Sequence, residues 1–431
     1  AGGGFYTPIP NEMMDFLPEL DFGIVGEAYI IFPELLKAIK NNEDGSNVKG
    51  IVYRKDNSVK FTNPQELVPD MDWLPFPAYK YAPLDIYFKN SGIVLSEAAM
   101  NSKKRLDACF SLSCPFLCRF CWDLGITSNY EMKEKDGKLE FPGGRPGKNS
   151  VIRHHSPQYI AKYIEHLRKD FLDIVSDEEG GGIGNPIDFV SWLDENIVAH
   201  DAQNRFTWLA EVKEELWKKD LIPECVKRGV PHDPSFCDGP HHGGTSHAGV
   251  VNQKQLQVLK DIGFTYLDYG LEHWDRKILK SIGKGATADS NKRAVKWTME
   301  SGIRPIPNQI IMFPDETWDT LNTMLDAWEE TGIVNRPFIC TPYPGSEWFM
   351  TYRDYIVEQY GGSLENFIVD LEDATKVTAL LTRKFTPAED VGIQNIMADA
   401  AISGDFKNAK RLLALSKKMK ESQLVSKQFS S

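Results

Sequence analysis

The 431-residue sequence predicts an α/β fold built on a parallel sheet, and three observations carry that expectation. Between Leu106 and Thr341, short apolar runs alternate with amphipathic stretches at strand–helix spacing. Near the start, a Gly-rich turn follows a short apolar run, as it does in doubly wound folds. Residues 350–431 read as mainly helical.

In chain order, residues 1–60 hold a strand at Phe22–Val25, a Gly26-Glu27 turn and an amphipathic helix from about Ile31 to Asn41. That is too little to cover both faces of a doubly wound sheet, so the segment is read as part of a Rossmann-like domain. Residues 61–100 are rich in Pro and aromatics and form an expected irregular linker, because proline removes backbone donors and stops helices. Such a linker could also line an apolar channel. From residue 101 to 349, strands are expected at Leu106–Ser111, Ile187–Leu193, Ser235–Cys237, Thr265–Leu271, Asn308–Phe313 and Pro337–Thr341. Helices are expected near Gln158–Val175, Gln253–Ile262, Ser290–Ser301 and Thr317–Gly332. This repeat gives a parallel sheet with helices outside, either open or curled into a partial barrel. The basic stretch Asn408–Lys427 reads as a solvated helix with a fraying tail, or as a helix that docks a partner.

Net charge is −12 and no long Lys/Arg run occurs, which argues against a nucleic-acid or anionic-membrane surface. No apolar stretch approaches the roughly 20 residues that span a bilayer, and no signal peptide is recognisable at the N-terminus. The seven cysteines are odd in number, and four fall between Cys109 and Cys121. That pattern points to a metal site in a reducing cytoplasm rather than to a disulfide framework.

The sharpest signal is Cys114-x3-Cys118-x2-Cys121, directly after the first expected strand of the repeat. Loops at the carboxyl ends of strands are where α/β enzymes place catalytic groups, and thiolate-rich sites favour zinc or iron–sulfur clusters. Three thiolates leave one iron of a cluster open to a further ligand, whereas four close it. Cys109 is either a fourth ligand, which would make a closed iron–sulfur electron carrier or a zinc-stabilised scaffold, or a small buried residue on the strand.

This spacing, with Phe120 in the aromatic slot before the last cysteine, resembles the radical S-adenosylmethionine (SAM) superfamily. The resemblance implies a partial TIM-like (β/α) barrel with a [4Fe–4S] cluster on Cys114, Cys118 and Cys121. It also implies SAM bound at the open iron, cleaved to a 5′-deoxyadenosyl radical that takes hydrogen from a small-molecule substrate. A reductant such as ferredoxin or flavodoxin would supply the electron.

Further segments extend the resemblance to the cobalamin-associated branch. Asp194 and Glu195, in Ser-Trp-Leu-Asp-Glu-Asn-Ile, resemble residues that hold the SAM amino group, or else they open a helix. Glu272 ends a Gly-x-Glu strand beside SAM, or caps the helix near Trp274. Phe313-Pro314-Asp315-Glu316-Thr317 stands where the branch carries a Gly-x-Pro-Gly-Glu-Thr run, and both glycines are replaced. Thr341 to Gly345 resembles the ending of the sixth strand. Residues 1–60 are similar to the C-terminal part of a B12-binding domain, yet the cobalt-ligating Asp-x-His-x-x-Gly motif occurs nowhere in the sequence. Gly2, Gly3 and Gly4 would line a nucleotide tail or form a plain turn. The resemblance therefore implies cobalamin-dependent C-methylation, with radical oxidation, cyclisation or rearrangement as the alternative. The loop containing His232, Cys237, Asp238, His241, His242 and His247 is expected at the mouth after the third strand. It would shape a substrate pocket, bind a second metal, or be a plain loop.

Overall fold

The computed structural model describes residues 1–4, 6–56, 58–89, 102, 104–122, 133–135, 138–140, 152–169, 187–203, 205–231, 237, 239–373 and 376–428. The N-terminal unit contains α1 (Pro10–Phe16), β1 (Phe22–Ile24), α2 (Ala28–Lys40), β2 (Ile51–Lys55) and β3 (Ser58–Phe61). Its three strands pair antiparallel in the order β1-β2-β3, with Asp56 at positive φ in the β2–β3 turn. Ile31, Leu35 and Ala38 of α2 pack on Ile24, Ile51 and Tyr53 to give this unit its own small core.

The central sheet has six parallel strands: β4 (Arg105–Ala108), β5 (Phe189–Trp192), β6 (His241–Ser246), β7 (Phe264–Glu272), β8 (Arg304–Ile311) and β9 (Phe338–Ile339). Each strand of this sheet neighbours the next one in sequence, the parallel neighbours being joined by crossover connections, and the sheet curls as a half-barrel. Outside it lie α3 (Pro157–Lys169), α4 (Ile197–Gln203), α5 (Trp208–Lys218), α6 (Glu224–Arg228) and α7 (Gln253–Ile262). They are followed by α8 (Arg276–Ser281), α9 (Ala288–Glu300) and α10 (Trp318–Thr331). Several of these helices start where the sequence supplies a cap. Asn252 with Gln255, Thr287 with Ser290, and Thr317 with Thr320 each form a reciprocal capping box, which satisfies backbone donors that a helix start leaves open.

Strand alternation decides what faces where. Leu106, Val190, Trp192, Leu267, Tyr269, Leu271 and Ile311 turn outward into one large core with Ile160, Ile164, Leu256, Leu325 and Trp328 of the helices. Full burial of each such side chain contributes roughly 1.5–3 kcal/mol. The opposite face of the sheet carries Phe189, Tyr266 and Ile306 in a separate small cluster, with the Phe189 and Tyr266 rings parallel. Above them on the same face stand Asp107, Ser191, Thr245, Asp268 and Asn308, so the half-barrel interior is polar.

Two expectations about strands need correction. The third strand is His241–Ser246; Ser235 lies outside the described residues, and Cys237 precedes the strand. The Gly-Gly of this strand is explained by packing. A Cβ on Gly243 would fall within the Tyr266 ring, and one on Gly244 would strike Ile197 and Trp192. The first strand is shorter than expected, and Ser111–Leu112 pairs instead with Arg153–His154 in an antiparallel bridge. The expected helix reaching Val175 is described as far as Lys169.

The C-terminal helices α11 (Glu347–Gln359), α12 (Leu364–Asp370), α13 (Pro387–Ser403) and α14 (Phe406–Gln428) cover one side of the barrel. Ala409 and Leu413 of α14 are buried in the main core, while Lys410 reaches Asp326 and Glu329 of α10 at 2.6 Å. The basic helix is therefore docked on its own chain. Glu27 of the N-terminal unit forms a buried pair with Arg153, which also donates to Val68 O, and this holds the N-terminal unit and linker against the barrel. Among the described residues, no helix is long and apolar enough to cross a membrane.

Candidate functional site

The cysteine loop leaves the carboxyl end of β4 and lies across the mouth of the half-barrel. Cys118 is buried and Cys114 and Cys121 are half-buried; none of the three is in a disulfide. Local bonds fix its path. Arg119 N–H donates to Ile282 O at 2.9 Å, Cys121 N–H to Cys118 O at 3.0 Å, and Trp348 N–H to Arg119 O at 3.1 Å. The Arg119 guanidinium reaches Glu347 at 3.1 Å, so the loop is tied both to the turn after α8 and to the start of α11.

That turn, Ile282-Gly283-Lys284-Gly285, is the main support. Both glycines have positive φ, which lets the backbone fold tightly under the loop. Phe116 stacks face to face on His247 at 3.8 Å. His247 stands just past the end of β6, accepts from Gly249 N–H through Nδ1, and bonds Lys284 O through Nε2 at 3.0 Å. Nδ1 is an acceptor, so Nε2 carries the proton and the ring is neutral. Burial pushes its pKa down to about 3, helped by the nearby Lys284 cation.

The Lys284 ammonium is buried and bonded to Glu272 at the end of β7, and it faces both Cys118 and Cys114. Burial alone would lower its pKa, but the Glu272 carboxylate and the two sulfurs hold it above the ordinary value. Burial pushes the Cys118 thiol up to about 11, with Lys284 opposing and Glu272 reinforcing that rise. Glu272 sits at positive φ, a costly backbone for a non-glycine residue, and its side chain points into the mouth. Gly270 makes room for this pair, since a Cβ there would lie 2.3 Å from both Glu272 Oε1 and Lys284 Nζ. Glu272 is therefore no helix cap; Asp275 caps α8 by accepting from Lys277 and Ile278 N–H.

Asp194, at the end of β5, is 1% exposed. It accepts from Phe110 N–H at 3.3 Å and from the Ser111 hydroxyl, so it anchors the backbone leading into the cysteine loop. Burial raises its pKa to about 7 against the pull of these hydrogen bonds. The helix start nearby is capped by Asn196, which accepts from Ala199 N–H, and Glu195 is half-buried beside it. Phe120 packs between Phe313 and Trp348. Phe313 is fully buried in the second core, so a core side chain stands where the branch carries glycine. The positive φ falls on Met312, whose N–H is held by Glu316 at 3.0 Å.

Cys109 is exposed, and its thiol donates to Ser111 O at 3.0 Å; it is not the small buried residue that was one of its two readings. It lines a cavity of about 440 Å³ with Phe76, Asp107, His155, Tyr159 and Tyr163. The Pro/aromatic linker supplies one wall through Met71 and Leu74–Ala78, and Asp107 of β4 also lines it. Inside the barrel Asp268 accepts from Asn308, and burial raises its pKa to about 6, with Glu272 adding and Lys284 opposing.

The expected His-rich loop is divided by the fold. His247 is at the mouth, His242 is in the core with its Nδ1 accepting from Trp192 Nε1 at 3.2 Å, and His241 and Cys237 lie at the opposite end of the sheet. His232 and Asp238 fall outside the described residues. Sequence reasoning assigned no role to Lys284, Phe116, His247 as a neutral prop, or Asp268. A lysine between two glycines and the alternation Tyr266, Asp268, Gly270, Glu272 along β7 were the available signals.

The comparisons agree with this geometry. A 26% identical relative, an uncharacterised methyltransferase of Pyrococcus horikoshii, aligns over 80% of this chain and 61% of its own. The anaerobic magnesium-protoporphyrin IX monomethyl ester cyclase of Synechocystis is 25% identical over 73% of this chain and 50% of its own. The chain thus spans about half to three-fifths of the length of these curated relatives. Among solved structures, the fold is similar to the cobalamin-dependent SAM radical enzyme OxsB (TM-score 0.53, 18% identity, 83% of this chain and 43% of that one). It is also similar to the radical SAM methyltransferase TsrM of Kitasatospora setae (TM-score 0.52, 15% identity, 84% and 58%). The profile of the Radical SAM superfamily matches residues 109–327, from Cys109 through the cysteine loop and into α10. The chain belongs to the radical SAM superfamily.

Proposed function

We propose that Cys114, Cys118 and Cys121 hold a [4Fe–4S] cluster at the mouth of the half-barrel and that the enzyme acts there on SAM and a small organic substrate. The observation that carries this reading is the three-cysteine loop itself. Its thiols are outside any disulfide, face a buried cation, and are braced by the turn at Ile282–Gly285. Three soft donors in this setting fit an iron–sulfur cluster with one open iron. When bound, the cluster supplies the electron that cleaves the SAM sulfonium and so generates the radical that takes hydrogen from substrate.

The chain's own residues position and shield that chemistry. Lys284 offsets the negative charge of the thiolates and orients Glu272, whose carboxylate faces the mouth where the SAM amino group would lie. Glu195, just past the end of β5, is the acidic residue assigned the same task, while Asp194 bonds Phe110 and Ser111. Phe120, Phe313 and Trp348 close the apolar side and exclude water. The linker cavity, lined by tyrosines, Phe76 and Cys109, would take an apolar or ring-bearing part of the substrate beside Asp107. The reading also needs a one-electron donor of the ferredoxin or flavodoxin kind and a reducing, cytoplasmic setting.

The relative named as a methyltransferase favours methyl transfer, with carbon as the acceptor we propose, and the likeness to the cyclase keeps ring closure as the second reading. Cobalamin does not find a protein ligand for its cobalt in the N-terminal unit, since residues 1–61 contain neither His nor Cys. The test is anaerobic turnover of SAM by the iron-loaded protein under dithionite, with 5′-deoxyadenosine measured by mass spectrometry. Production that is lost in C114A, C118A and C121A supports the reading; equal production in these variants refutes it. With methyl-labelled SAM, formation of S-adenosylhomocysteine separates methyl transfer from ring closure.

A further inference from the structure

A second cluster of metal-ligating side chains lies at the far end of the sheet, away from the mouth. Cys225 on α6, Cys237 before β6 and His241 at the first position of β6 bring their donor atoms within 4.8 Å of one another. His241 Nε2 is 3.2 Å from Cys237 Sγ and 3.8 Å from Cys225 Sγ. Cys225 and His241 are buried, and Cys237 is half-buried. In the structure the two sulfurs are joined as a disulfide across a Cα–Cα distance of 5.2 Å, which departs from the all-thiol expectation read from the sequence.

The surrounding backbone is built for close approach. Pro223, which leads into α6, is clamped between Gly239 and Gly263; a Cβ on either glycine would come within 2.8 Å of it. His241 N–H is held by Asp188 O at 2.9 Å, and His241 pairs with Phe189 at the start of β5. The three donors thus come from two parts of the chain, α6 and the segment that enters β6, and none of them takes part in the cysteine-loop site.

We propose that, in its dithiol state, this trio is a structural site for zinc(II), with Cys225 and Cys237 as thiolate ligands and His241 Nε2 as the imidazole ligand. Two thiolates and an imidazole are a common zinc donor set. Zn–S bonds of about 2.3 Å at a tetrahedral angle put two sulfurs roughly 3.8 Å apart, so the sulfurs must move apart from their bonded positions once the disulfide opens. The trio supplies three ligands, so the fourth position is left to water. Reaching this state requires that the disulfide take up two electrons and two protons from a thiol reductant, which is itself oxidised to a disulfide. The two new thiols then release their protons to solvent as zinc binds. The ion would staple α6 and the approach to β6 onto the barrel floor, where a structural rather than a catalytic role is expected.

The test uses the full chain, purified anaerobically with its iron loaded and supplemented with zinc under a thiol reductant. Metal analysis should give about one zinc per chain, and zinc-edge X-ray absorption should show two sulfurs near 2.3 Å and nitrogen near 2.0 Å. C225S and H241Q should lose that zinc while iron content stays unchanged, and C114A/C118A/C121A should keep it. Absence of zinc in the reduced wild-type protein would overturn the proposal. So would an intact Cys225–Cys237 disulfide in peptide mapping of that sample, or zinc that follows the cysteine loop instead. The X-ray absorption readout is on unmodified protein, so a variant that fails to fold does not decide the outcome.

Discussion

Lys284→Met is the perturbation that probes the site most sharply, because it removes one partner of a buried ion pair and leaves the other in place. The side chains of Lys284 and Glu272 are only 9% and 6% exposed. Stranding the Glu272 carboxylate without its cation costs roughly 3–5 kcal/mol. For a cooperative unit of roughly 250 residues, 1 kcal/mol corresponds to about 2 °C, so the melting temperature of the metal-free protein should fall by about 6–10 °C. The companion variant E272Q/K284M removes the stranded charge and should recover most of that loss. The coupling between the two positions is then measurable by a double-mutant cycle. Iron retention should fall along with stability in K284M, since the same ammonium faces Cys118 and Cys114. Additive single and double variants, or a melting temperature within 1–2 °C of wild type, about the shift expected from 1 kcal/mol, would refute the claim that this pair supports the loop.

Other consequences follow from the same geometry. Gly270→Ala should push apart the Glu272–Lys284 contact, cost about 1–3 kcal/mol and slow SAM cleavage, checked by thermal unfolding and 5′-deoxyadenosine yield. The folded-state pKa of Asp194, about 7, lies above its unfolded value of 3.8, so the native state binds the extra proton. Its contribution is therefore fully present below pH 4 and is lost as pH rises through about 7, a change of the order of 4 kcal/mol. Asp194→Asn should flatten that part of a stability-versus-pH curve, and an unchanged curve would contradict the assignment. His247 should stay neutral with its proton on Nε2 from pH 5 to 9 by nitrogen NMR, because burial and Lys284 hold its pKa near 3; a titration near pH 6.5 would remove it as a fixed prop for Phe116.

Much of the architecture was legible because local and tertiary signals agree. The helix at Gln253–Ile262 was readable to the residue, with Asn252 and Gln255 closing a capping box at one end and Gly263 turning the chain at the other. The strand Phe264–Glu272 was readable from its apolar alternation. The third strand was not, because His-His-Gly-Gly-Thr-Ser has the composition of a loop; it is a strand only because Tyr266, Ile197 and Trp192 occupy the space that side chains on Gly243 and Gly244 would need. That one misplacement moved the His-rich segment to the wrong end of the sheet. The N-terminal hairpin of β2 and β3 was missed although Asp56 marks its turn, because a doubly wound expectation left no place for antiparallel pairing. At the site, the cysteine spacing was visible in sequence, whereas what ties Lys284 to Cys118 and His247 to Phe116 is proximity between residues more than a hundred positions apart.

The most direct test of the central claim is electron paramagnetic resonance of the anaerobically reconstituted, dithionite-reduced protein, recorded with and without SAM. The account predicts a [4Fe–4S]⁺ signal that shifts when SAM is added, reporting an iron that three cysteines leave open. A signal unmoved by SAM, or a cysteine loop that takes up zinc and no iron, would contradict it.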